Sequence, residues 1–221
     1  MSANLDRFRS KGVDRTSAFS DGVFAIAMTL LVLSFKTPHL HGTDAQLDDE
    51  LWRYIRSQDG IFLSYALSVF VIGRYWLAHH RMFRLILHTD VVLLELNLLA
   101  LALIALVPYP TELMGTYGST TTATVFYAAT VGAVGIAHTA LWWHAVRNDL
   151  VDPAVSESYR RHAQARGVSL PVIFLASIPV AFLSVDAAQL MWVASAFVHF
   201  GFRSRYGSIQ DPFSEVGSEP D

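Results

Sequence analysis

Cysteine is absent from the 221-residue chain, which excludes disulfides, thiol catalysis and thiolate metal sites. Charge is scarce: Asp, Glu, Lys and Arg make up 16% of the residues, where a soluble domain carries about 25%. The net charge of −3 comes with no basic block, so a nucleic-acid partner is not expected. No phosphate-binding glycine loop, dinucleotide fingerprint, His-Glu-x-x-His or Gly-x-Ser-x-Gly occurs, so neither an enzymatic activity nor a bound cofactor is expected. The first 18 residues are polar and carry Arg7, Arg9, Lys11 and Arg15. They lack the short apolar core and small-residue site of a cleavable signal peptide, so the first apolar helix is expected to serve as its own insertion signal. No internal repeat is present, and a symmetric assembly would have to come from several copies of the chain.

What the chain has instead is long apolar runs. Hydrophobic residues make up 52% of it, and residues 96–111, 123–146, 168–185 and 187–202 contain no charged side chain. A bilayer-spanning helix needs about 20 mostly apolar residues. The pattern predicts an all-α membrane protein with six transmembrane helices, at about 15–36, 59–84, 89–110, 121–147, 166–185 and 187–204. They would form a single domain over 1–205, followed by a polar, acidic tail at 206–221 that is expected to be disordered. The third helix is expected to stop at Pro108-Tyr109-Pro110. Twelve Lys and Arg flank the helices on one side and three on the other, with Arg74 inside the second helix. The positive-inside rule then places both termini in the cytoplasm, and the acidic loop from Asp44 to Glu50 outside.

Helix 1 carries most of the information. Its charge-free part, Gly22 to Phe35, is 14 residues, about 21 Å of helix at about 1.5 Å per residue. That is too short to span, so Asp21 falls within or at the edge of the membrane and calls for a partner or a function. At about 100° per residue, Ile26, Leu30 and Leu33 share one stripe, flanked by Phe19, Gly22 and Thr29, while Ser20 and Asp21 point away from it. Two roles are open for that stripe, ordinary helix packing or the lining of a central axis. Helix 2 ends in Arg74-Tyr75-Trp76-x-x-His79-His80, a set of donors at the same membrane level as Asp21. Glu95 and Asn97 of helix 3 lie near that level as well and extend the polar cluster. Adjacent histidines diverge by about 100° and are poorly placed to share one metal ion. His138 and His144 are expected to be solvated or interfacial.

Arg15-x-x-x-Phe19-Ser20-Asp21, continuing as Gly-Val-Phe-Ala-Ile-Ala-Met-Thr-Leu-Leu-Val-Leu, resembles the signature of the prokaryotic transmembrane protein 175 family, relatives of the endosomal and lysosomal potassium channel. Tyr75-Trp76-x-x-His79-His80-x-x-Phe83 and the run from Asn97-Leu-Leu to Pro108-Tyr109-Pro110-Thr111 are similar to that family too. The resemblance covers the first half of the chain by motif and the second half by helix count. It implies a homotetramer in a bacterial plasma membrane, with helix 1 of each subunit lining a central pore and potassium as permeant ion rather than bound metal. The constriction would be rings of Ile26, Leu30 and Leu33, with Thr29 beside them offering a hydroxyl. Arg15, Phe19, Ser20 and Asp21 would hold helix 1 against Trp76 and a histidine, either His79 or His80. A ring of this kind acts as a hydrophobic gate, which dewets when narrow and strips water more cheaply from potassium than from sodium. No Thr-Val-Gly-Tyr-Gly-like filter accompanies it. The alternative is a proton-coupled secondary transporter relaying through Asp21, His79 and Glu95, although the inverted repeats usual for such proteins are not evident.

Overall fold

The computed structural model describes residues 2–194, with side chains from residue 12 onward. The described chain is helical throughout its regular parts. Helix α1 runs Ser2–Leu30 and tightens into a 3-10 turn over Leu31–Ser34. It is followed by α2 (Asp44–Ser57), α3 (Asp59–Phe83), α4 (Val91–Leu106), α5 (Pro108–Tyr117), α6 (Thr121–Arg147) and α7 (Glu157–Ala181). A further helix, α8, covers 185–194. Five segments are long and apolar enough to cross a membrane: Gly12–Ser34, Asp59–Phe83, Val91–Tyr117, Thr121–Arg147 and Glu157–Ala181. The expected sixth span lies largely outside the described residues, as do Arg203, Arg205 and the tail at 206–221. The part of it in view, α8, buries Ala188 and Trp192.

Local chemistry explains where the elements start and where expectation and structure part. The Thr120 hydroxyl accepts the Ala123 N–H at the start of α6, whose bounds coincide with the predicted helix. Besides α1, which starts at Ser2 rather than near 15, three elements depart from prediction. The Pro108-Tyr109-Pro110 run does not stop the third span: Pro108 sits at the first position of α5, where a missing N–H costs nothing, so the chain resumes as helix to Tyr117. The loop expected to lie outside contains the amphipathic α2, capped by Thr43, whose N–H donates to Gln46 Oε1 at 3.0 Å. The fifth helix begins nine residues before the predicted 166, because Ser156 caps it and Glu157 opens its first turn. Arg160, Arg161 and Arg166 therefore ride on α7 rather than in a loop.

The most extensive pairing joins α6 to α7. Gly132 and Gly135 make it possible: a Cβ at Gly135 would stand 2.5 Å from Pro171 Cβ and 2.7 Å from Tyr75 Oη. Gly135→Ala should therefore force α6 from α7 and lower stability by about 1–3 kcal/mol. Melting in detergent at the wild-type temperature would count against this close approach. Buried hydroxyls are paired between helices: Ser68 Oγ lies 2.8 Å from Thr111 Oγ1 and 2.9 Å from Tyr127 Oη, and the Tyr75 hydroxyl donates to the Val131 carbonyl.

At one end of the bundle, the segments after α3 and α6 are tied together. Leu87 N–H donates to Leu150 O and Asp152 N–H to Leu85 O, each at 2.8 Å. Asp149 takes the left-handed conformation (φ 54°), which lets Leu150 N–H reach back to Ala145 O and close α6. Asp90 caps α4 through the Leu93 N–H and pairs with His144 Nε2 at 2.8 Å. Partial burial works to raise the Asp90 carboxyl, but the Leu93 N–H and the His144 ring outweigh it and hold it below the usual carboxylate range. A folded-state value that is lowered makes its contribution in full above about pH 4 and loses it as pH falls further. Melting temperature should thus drop only at the acid end of a titration. Asp90→Asn, which keeps the cap but does not titrate, should shrink that drop; an unchanged acid limb would separate it from Asp90.

Candidate functional site

Helix α1 has two opposed faces. Val13, Ser20, Phe24, Ala27, Leu31 and Ser34 recur at helical spacing and are buried against the rest of the chain. Phe24 meets the ring of His79 at 5.4 Å and that of His138 at 6.2 Å. The other face is bare: Phe19, Ile26 and Leu33 are 58%, 60% and 68% exposed, and Gly22, Thr29 and Leu30 are exposed with them. Thr29 donates its hydroxyl proton to the Ile26 carbonyl at 2.8 Å, which leaves the lone pairs of Oγ1 uncommitted.

A one-way chain of hydrogen bonds secures the inner face. His79 Nε2 lies 2.9 Å from Asn97 Oδ1, Asn97 Nδ2 donates to Ser20 Oγ at 3.1 Å, and Ser20 donates to the Thr16 carbonyl at 2.8 Å. An amide oxygen accepts only, so the proton of His79 sits on Nε2 and the chain runs from α3 through α4 to α1. His79, Asn97 and Ser20 are all buried, and the His79 ring is stacked on Phe83 at 4.4 Å. Beside this chain, the Trp76 indole donates to Asp21 Oδ1 at 2.8 Å.

The structure joins some of the residues singled out in the sequence and not others. Asp21 is bonded to Trp76 and to neither histidine. His79 belongs to Asn97, and His80 lies against the Trp76 ring at 5.5 Å. Arg15 and Phe19 are exposed on the outer side of α1, opposite the buried Ser20. Glu95 is exposed on α4, turned from the buried face that carries Asn97, so it does not join a relay with Asp21 and His79. Among the described residues no three His, Asp or Glu side chains converge as a metal ion would need.

His138 was expected at a solvated or interfacial position and is buried in α6, its ring 5.7 Å from His79 and 5.2 Å from Tyr75. An imidazole well inside an otherwise uncharged run was the signal available for it, although His144 shares that run. Asn97 was legible in the same way, as the one amide in a leucine-rich span, but its place at the centre of the chain was not.

Membrane-length helices, a first helix locked by polar bonds on its inner side and bare on its outer side, and a bundle tied at one end define a multi-pass helical membrane protein. The chain belongs to the transmembrane protein 175 family. The family described as endosomal/lysosomal potassium channel TMEM175 matches residues 15–108. A potassium channel of Streptomyces collinus is 35% identical over 175 residues, covering 77% of this chain and 82% of its own. The crystal structure of a lysosomal potassium-selective channel TMEM175 homolog from Chamaesiphon minutus is 30% identical and superimposes with a TM-score of 0.73, covering 88% of this chain and 98% of its own. The human endosomal/lysosomal proton channel TMEM175 is 25% identical over 185 residues, which span 36% of that longer protein.

Proposed function

We propose that the chain is one subunit of a homotetrameric, potassium-selective channel in a bacterial plasma membrane, with both termini in the cytoplasm. The observation that carries this reading is the stripe of Ile26, Leu30 and Leu33, left bare on a helix whose opposite face is locked by bonds to α3 and α4. Apolar exposure alone suits lipid as well as a pore. Three things favour the pore: the polar lock that fixes which way the stripe looks, the free lone pairs of Thr29 beside it, and relatives named as potassium channels. Four copies of α1 around an axis would stack the stripe into apolar rings. Such rings offer an ion no replacement for its water, so passage depends on how cheaply hydration is shed, and potassium sheds it more cheaply than sodium. The Ser20–Asn97–His79 chain and the Asp21–Trp76 bond then serve as the clamp that keeps the ring positions in register.

The test is ion flux into liposomes carrying the purified protein, with sodium as comparison ion, together with the mass of the assembly in detergent. Potassium flux exceeding sodium flux from particles of four chains supports the reading. Correctly folded protein with no flux above empty liposomes rejects the channel, and another stoichiometry rejects the tetramer. Flux that saturates in fixed ratio to protons would instead favour a coupled transporter.

A further inference from the structure

A cavity of about 130 Å³ lies away from the α1 stripe, between the second halves of α3 and α6 and the first half of α7. It is at the end of the bundle where the segments after α3 and α6 are tied, the arginine-rich end. Each helix contributes one stripe at helical spacing: Arg74, Ala78 and Arg81 from α3, His138 and Trp142 from α6, His162 and Arg166 from α7. The lining contains three arginines and no carboxylate. Nearby Glu157 is already paired with Arg161. His138 is part of the lining; it is 8% exposed, and its Nε2 is buried without a hydrogen-bond partner. Its other nitrogen, Nδ1, lies 3.0 Å from the Val134 carbonyl. A carbonyl only accepts, so the proton sits on Nδ1 and Nε2 presents a lone pair that asks for a donor.

The geometry points to a binding site for the headgroup of an anionic phospholipid whose headgroup carries a hydroxyl, the chemistry of phosphatidylglycerol. The phosphodiester would take Arg81 and Arg166, and the hydroxyl would donate to His138 Nε2. Size and walls agree. An apolar cavity of about 150 Å³ holds a molecule the size of benzene, so this one, at about 130 Å³, admits only the polar end of a headgroup and leaves the glycerol backbone and acyl chains outside. Leu77, Ala78, Met82 and Leu85 give the adjoining glycerol and chain ends an apolar wall. Basic pockets between spanning helices suit such headgroups for the same electrostatic reason.

The experiment is native mass spectrometry of the full chain in detergent, titrated with phosphatidylglycerol, phosphatidylcholine or soluble glycerol phosphate. Phosphatidylglycerol should remain bound in preference to phosphatidylcholine. An Arg81→Gln/Arg166→Gln double variant should bind it about thirtyfold more weakly, since each basic side chain near an anionic group contributes about fivefold. Both arginines are exposed and should be dispensable for folding; Arg84→Gln, exposed and outside the lining, should bind as wild type. His138→Phe should weaken phosphatidylglycerol binding while leaving its preference over phosphatidylcholine in place, since that preference rests on the arginines. Equal retention of phosphatidylcholine, or equal binding by the double variant, overturns the site. Displacement by soluble glycerol phosphate at comparable concentration overturns the lipid as its ligand.

Discussion

Ile26→Asn should abolish the preference for potassium over sodium. Sodium flux into liposomes should rise by at least about tenfold, which is about 1.4 kcal/mol off its barrier. Ile26 is 60% exposed and touches no part of the clamp, so the substitution should leave the subunit fold and its assembly unchanged. Within a ring, each asparagine brings an amide that can replace water around the ion, and the cost of dehydration that separates the two cations disappears. Val172→Asn is the matched control: Val172 is 54% exposed on α7, which packs on α6 rather than on α1. It loses the same kind of apolar surface to the membrane and should leave the flux ratio alone. An Ile26→Asn protein that keeps wild-type selectivity would show that the α1 stripe is not the selective element, whatever the channel conducts.

Asn97→Leu should be the most destabilising single change in the buried chain, by about 2–4 kcal/mol, because it strands two partners in an apolar interior. The His79 Nε2 proton loses its acceptor and Ser20 Oγ loses its donor. An ordinary hydrogen bond between spanning helices contributes only about 0.6 kcal/mol. The larger figure therefore comes from groups left unpaired rather than from bonds lost. That distinction is itself testable. Adding His79→Phe and Ser20→Ala to Asn97→Leu removes the stranded groups along with the bonds, and the triple variant should melt closer to wild type than the single one. A triple variant with additive losses would show that the chain acts through packing. Selectivity should loosen in Asn97→Leu even where protein survives, since α1 would no longer be held at the level of its ring positions.

Several elements were legible because one physical signal sufficed. The bounds of α6 follow from an uncharged run between a threonine cap and Arg147, and α3 differs from its predicted range by one residue. Where two signals compete, the sequence alone misleads. Proline at 108 reads as a stop, although at the first turn of a helix it is a start. The acidity of Asp44 to Glu50 hid the period of Leu47, Leu51 and Ile55 that makes α2. The charges of Glu157 to Arg166 hid the first turns of α7.

By itself the sequence determined the class of protein, the family, and the composition of each α1 stripe. These rest on length, hydropathy, a 3.6-residue period and a long motif, all of which are local. Only the tertiary structure decided which α1 stripe faces the chain, that Asn97 rather than Asp21 is the partner of His79, and that His138 comes to rest beside them. The reason is that lipid and protein interior are equally apolar, so hydrophobicity along a spanning helix carries no direction. Direction comes from which polar groups find partners on other helices and where glycines allow close approach, and those are relations between segments distant in the chain.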